Sequence, residues 1–326
     1  MLQRIALWGP LLIAALLAGG YIYIHQPFAR DGTELLQVPL SEEEPELDRV
    51  GDLKYLGGLD IPRMDQNIGG LSGLRWDAES GRLLAITDDA RWVWLDLQED
   101  GYRLVGLEQI ESGPLLGLNG EPLQGKEQGD SESLTQLGKG AWLIGFERNH
   151  RVLLYVALDG AAAETAIDAE ATLGPLEENA GLETLVFGTR VELYCVERQA
   201  AAARSNCMRA ETHSSEPEPF SVEPPAELSA RGGVPTDADV LGDDTLVVLF
   251  RSYSPAEGNA AAIATYSPDG TRREIATFLP PLTVDNFEGL AVREEEDRIF
   301  LYIVSDDNFS GSQRTLLMKF ELLKEL

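Results

Sequence analysis

Five segments of this chain share one pattern, and a repeat of this length restricts the fold more than any single motif, because each copy must bury its apolar face against its neighbours. They are GGLSGLRWDAESGRLLAITDD from Gly69, DSESLTQLGKGAWLIGFER from Asp130, AGLETLVFGTRVELYCVER from Ala180, PTDADVLGDDTLVVLFRSY from Pro235 and NFEGLAVREEEDRIFLYIVSDD from Asn286. Each sets a small, hydroxyl or acidic residue before an apolar pair, then a Gly- or acid-rich turn, an apolar run and a polar cluster. Short apolar runs bounded by such turns read as strands, and two with a tight connection as a hairpin. With Ser72, Glu132, Glu183, Asp239 and Glu288 as equivalent marks, the copies recur at roughly 50–60 residues, at or slightly above the ~40–50 of one four-stranded propeller blade. Two further strand-like runs follow each hairpin, such as Arg151 to Leu158 and Glu164 to Leu173, so four strands per copy are expected.

The last copy ends on a third strand, Arg314 to Leu322, while KYLGGLDI, ahead of the first mark, is available as a fourth. The expectation is therefore an all-β propeller of five four-stranded blades, its ring closed by this N-terminal strand so that no sheet edge is left open. Six blades is the alternative, if the long first interval hides a degenerate unit. A hydrophobic content of 44% is enough for a sizeable core.

The only long apolar helical segment lies at the N-terminus. Arg4 precedes Ile5 to Ile24, which carries no ionised side chain and, at about 20 residues, is long enough to span a bilayer. Residues 1–26 read as a signal anchor or a signal peptide, 27–50 as a polar linker, and 51–326 as the propeller domain. The nearest small-residue cleavage site, Ala18-Gly19-Gly20, is followed by the still apolar Tyr21 to Ile24, which favours the anchor. Either reading expects export to the periplasm, with the anchored one holding the protein at the inner membrane. In that oxidising compartment Cys195 and Cys207 could staple adjacent strands of one hairpin; two unpaired core residues is the alternative. The formal charge of −29, from 55 Asp and Glu against 26 Lys and Arg, repels phosphate backbones and argues against nucleic-acid binding.

In this order, NIGGLSGL, ITDD, GDSESL, GFERNHR, NAGLETL, TDADVL, DNFEGLAV and SDDN resemble the phytase-like family described as having esterase-like activity of phytase. The resemblance covers about residues 50 to 322. It implies a propeller, an exported location and activity on esters or phytate, and in outline it is similar to other calcium-binding propellers.

The innermost strand of each propeller blade lines the central channel, so equivalent positions converge. Glu132, Glu183, Asp239 and Glu288 are thereby expected at one mouth, with Ser72 and Asn67 completing the ring. Several close carboxylates are hard to ionise together without a cation, and calcium accepts six to eight oxygen ligands, so Glu132, Glu183, Asp239, Glu288 and Asn67 are candidate metal ligands. Capping of the turn before each strand is the other reading. A second cluster follows the second strand of each copy: Asp88-Asp89, Glu147-Arg148, Glu197-Arg198, Arg251 and Asp306-Asp307-Asn308. Its arginines suit either ion pairs bracing the blades or a pocket in which Arg148, Arg198 and Arg251 grip an anionic substrate. His150 is the only histidine inside a repeat motif and a candidate general base beside the acids Glu132, Glu183 and Glu288. No G-x-S-x-G elbow and no glycine-rich phosphate loop with lysine are present. Two functional readings follow: a calcium-dependent hydrolase of a small ester or phosphoester, and a non-catalytic propeller binding a ligand or protein at the cell envelope. No oligomer symmetry is legible.

Overall fold

The structure, a computed structural model, describes residues 35–62, 68–196, 206–212 and 216–323, all within the unit Thr33–Leu326. The N-terminal apolar segment, Asn67 and Arg198 lie outside the described residues. Among the described residues no helix is long and apolar enough to cross a membrane.

The chain forms a five-bladed, four-stranded β-propeller. Blade 1 is Leu71–Asp77, Arg82–Thr87, Arg91–Asp100 and Arg103–Pro114; blade 2 is Ser131–Gln136, Trp142–Phe146, Arg151–Tyr155 and the two-residue Ala163–Glu164. Blade 3 is Leu182–Phe187, Val191–Val196, Cys207–Glu211 and Glu218–Phe220; blade 4 is Val234–Val240, Leu246–Ser254, Gly258–Tyr266 and Arg272–Phe278. Blade 5 is Phe287–Glu295, Arg298–Ser305 and Thr315–Leu322, with Leu53–Ile61 antiparallel to the last of these. All pairings within blades are antiparallel, and the inner strands pack in chain order, the fifth returning to the first.

Why these residues make blades is visible in the period of two. In Leu246–Ser254, the even-numbered Leu246, Val248 and Phe250 face blade 3, while Val247 and Leu249 face blade 5. In Arg298–Ser305, Phe300, Tyr302 and Val304 face blade 1 while Leu301 and Ile303 face blade 4. A strand buried on both faces must be a continuous apolar run, which is what LLAI, WLIGF, LVVLF and IFLYIV are. The core is thus five clusters, one between each pair of neighbouring blades.

At Gly73 and Gly289 the neighbouring inner strands approach too closely for a side chain. A Cβ on Gly289 would lie 2.9 Å from Leu74 Cβ and 2.6 Å from Val304 Cγ1, and one on Gly73 would lie 2.9 Å from Leu134 Cβ. Cys195 and Cys207, opposite each other on neighbouring strands of blade 3, are joined by a disulfide inside the cluster shared with blade 4. Part of the expected linker is tied to the propeller: Leu40 is fully buried, its carbonyl accepts the Thr283 N–H, and Leu36–Gln37 and Arg49–Val50 pair with Leu53–Ile61.

Candidate functional site

Every inner strand carries a bulge near its start. Register shifts between Leu71 and Leu74, Ser131 and Ser133, Leu182 and Thr184, Pro235 and Asp237, and Phe287 and Gly289. A bulged residue leaves the ladder and its side chain is re-aimed. The residues so placed are Ser72, Glu132, Glu183, Thr236 and Glu288. This corrects one sequence expectation: the blade 4 equivalent is Thr236, and Asp239 lies three residues further along the strand, away from the ring. The hydroxyls of blades 1 and 4 are satisfied by backbone, Ser72 donating to Gly70 O and Thr236 to Phe287 O. The carboxylates of blades 2, 3 and 5 face one cleft.

A second set of acids enters the same cleft from the ends of the second strands. The backbone N–H groups of Asp88, Glu147 and Asp306 donate to Gly70 O, Asp130 O and Asn286 O, the carbonyls just ahead of the inner strands, so all three occupy one structural position. The two clusters read separately in the sequence are therefore a single site. Its cavity of about 220 Å³ is lined by seven carboxylates, Asp88, Asp130, Glu132, Glu147, Glu183, Glu288 and Asp306, and three cations, Lys126, Arg148 and Arg251, with Asn179 and Asn308.

The cations are engaged. Lys126 Nζ lies 2.7 Å from both Asp88 and Asp130, Arg148 Nε 2.7 Å from Asp130, and Arg251 Nη2 3.1 Å from Glu288. Arg148 reaches inward from a left-handed backbone conformation, φ 57°, on the turn after its strand. Negative charge still exceeds positive. Burial, and then Glu183, Glu288, Glu147 and Asp130, push the Glu132 carboxyl well above its ordinary range. Burial and Glu288 push Asp306 up to about 8, and burial raises Asp88 against the pull of Lys126. One oxygen each from Asp130, Glu132 and Glu147 lies within 4.8 Å of the others. The donors are all oxygens, from carboxylates and two amides, which fits a hard divalent cation such as calcium and offers nothing to a thiophilic one.

His150 is not among the cleft residues; its Nε2 lies 3.1 Å from Glu177 O. Beneath the mouth the channel is closed by a residue the sequence reading passed over. The Arg75 guanidinium, only 3% exposed, binds both oxygens of Asp237 at 2.8 and 3.0 Å and donates to Leu185 O, Ala238 O and Leu290 O, tying together blades 1, 3, 4 and 5. Burial lifts Asp237 to about 6 despite this partner, while for Arg75 the attraction of Asp237 and Asp239 outweighs burial and raises its pKa. On the far side of the plug, Asp239 lines a second, smaller-charged cleft with Trp76, Gln136, Phe187 and Glu294.

The chain is thus a five-bladed propeller with carboxylates converging at one mouth. Its family follows: the sequence profile of the Phytase-like family, described as esterase-like activity of phytase, matches residues 66–309, and the chain belongs to that family. Among curated proteins none matches the sequence. Similar solved structures include the α-L-arabinofuranosidase PaAbf62A from Podospora anserina, at 9% identity over 80% of this chain and 93% of that one, TM-score 0.46. A thermostable family-43 glycoside hydrolase has 11% identity over 77% and 89%, TM-score 0.47. A putative gluconolactonase has 13% over 90% and 96%, TM-score 0.42. Identity this low says nothing about chemistry.

Proposed function

We propose that this protein is an exported, calcium-dependent hydrolase of small esters or phosphoesters that works at the acidic mouth of the propeller. The observation that carries the reading is the convergence of Glu132, Glu183 and Glu288 with Glu147 and Asp306 in one cleft whose own cations leave it negative. Glu132 and Glu147, whose oxygens lie within 4.8 Å of each other, would hold the ion together with Glu183 of the same cleft, while Asp130 is already bound by Lys126 and Arg148. Calcium there supplies Lewis-acid stabilisation of charge developing on the ester. Arg148 and Arg251 stand at the same cleft, where a guanidinium can orient the oxygens of an anionic substrate. His150 has no part in this reading.

Export is supported by the apolar residues 5–24 and by the Cys195–Cys207 disulfide, a bond that persists in oxidising compartments. The antiparallel pairing of Leu53–Ile61 with Thr315–Leu322 supports closure of the ring by the N-terminal strand. A second reading, a ligand-binding propeller braced by its ion pairs, is favoured by the engagement of Lys126, Arg148 and Arg251 with acids of the cleft.

The test is thermal unfolding of the full chain with calcium and with chelator, alongside hydrolysis of 4-nitrophenyl acetate and 4-nitrophenyl phosphate. The hydrolase reading expects a chelator-sensitive midpoint and a calcium-dependent rate, both lost in Glu132→Gln. A calcium-dependent midpoint without turnover leaves the binding reading. No response to either addition removes calcium from both.

A further inference from the structure

The opposite end of the channel holds a cleft of different chemistry, and we propose that it binds a neutral, polyhydroxylated molecule of monosaccharide size. Its volume is about 290 Å³, just under the ~300–1,000 Å³ range of small-molecule sites. The inner end is formed at Arg75, whose pairing with Asp237 separates this cleft from the acidic mouth. Apolar surface from Trp76, Phe187, Val240 and Val292 makes up a large part of the wall. Trp76 is held in place, stacked on Tyr302 with Arg293 over its ring.

The polar groups are mostly acceptors. Asp239 Oδ1 and Oδ2 each take one backbone N–H, from Val240 and Val292 at 2.8 Å, leaving each oxygen capacity for a second donor. Glu294 Oε2 takes the Gly242 N–H at 2.7 Å. Arg75 Nε–H is the exception: it is buried, has no hydrogen-bond acceptor, and lies 4.0 Å from Asp239 Oδ1, too far for a direct bond. A group that completes this arrangement must accept from Nε–H and donate to Asp239 together, which is what one hydroxyl does. A further hydroxyl on the same molecule donates to Glu294, while its C–H face lies on the apolar wall. The alternatives fit less well. An anion meets two carboxylates, a bare metal ion meets apolar walls, and an ammonium supplies donors but leaves Nε–H without an acceptor.

Saturation-transfer NMR on the full chain in detergent tests this, with D-glucose and D-ribose as probes and butylammonium as the charged control. The expected result is transfer to at least one sugar with a Kd on the order of 1 mM, weakened roughly tenfold by Asp239→Asn. Glu294→Ala, at a rim position with little part in folding, should weaken it as well and serves if Asp239→Asn misfolds. Chelator should change nothing, since the ion proposed for the acidic mouth lies beyond the Arg75–Asp237 pair. No transfer to either sugar, transfer unaffected in both folded variants, or preference for butylammonium overturns the proposal.

Discussion

The two mouths of this channel are built from the same five strands and differ in almost every chemical respect. At one, carboxylates from three bulges and three strand ends converge with hardly any apolar surface and outnumber the cations among them. At the other, two carboxylates share the wall with aromatic and aliphatic side chains around a single buried guanidinium. Glu183 and Phe187 stand on one six-residue strand, facing opposite mouths. Position along a propeller strand therefore selects the chemistry, and Arg75 keeps the two chemistries apart.

Removing the partition between the two mouths should have the largest effect. Arg75→Met leaves the Asp237 carboxylate buried without its partner, and equilibrium denaturation should record a loss of about 3–5 kcal/mol. Calcium comes next. If the ion is held only at the acidic mouth, calcium at ~100-fold over its Kd should add about 2.7 kcal/mol, and Glu132→Gln with Glu183→Gln should abolish that gain without touching the far cleft.

The same mouth should show an inverted pH dependence. Asp306 is raised from 3.8 to about 8, so between those values the folded state holds more protons than the unfolded one, and stability in chelator should fall as pH rises through that window. Calcium affinity should rise over the same range, because ligation displaces protons. Asp306→Asn should flatten the stability profile; a profile unchanged in the variant would assign the slope to another group.

A smaller effect probes the axis itself. Gly289→Ala places a methyl 2.9 Å from Leu74 Cβ and should cost about 1–3 kcal/mol by prising blades 1 and 5 apart. Smallest in stability and most telling for function is Arg251→Gln. This partly exposed pair with Glu288 should contribute no more than ~1 kcal/mol to folding. A loss of turnover on the phosphoester beyond that on the acetate would mark Arg251 as a substrate contact, and equal turnover would mark it as a brace.

Much of the fold was legible because blade strands are buried on both faces and so write themselves as apolar runs bounded by turns. Glu132, Glu183 and Glu288 were legible for the same reason, sitting one residue into such strands. Asp239 is not the blade 4 mark because TDADVL carries two acids and the bulge falls before both, at Thr236. Matching Ala238 to Leu74, Leu134, Leu185 and Leu290 would have put Thr236 at the mark, since each of those apolar residues follows its bulge by two positions. Arg75 gave no comparable signal, being one arginine in a strand whose neighbours have Thr135, Val186, Asp239 and Ala291 at the same place.

The repeat, the four-stranded unit and the excess of acid at the strand starts can be read from the chain alone, because periodicity and turn chemistry act over a few residues. The sharing of one cleft by strand-start and strand-end acids, the meeting of Arg75 of blade 1 with Asp237 of blade 4, and the place of Asp239 at the opposite mouth all arise from the packing of the blades. Those facts depend on bulge register and on strands brought together around an axis across more than a hundred residues of chain, and electrostatics and close packing act through that space rather than along the sequence.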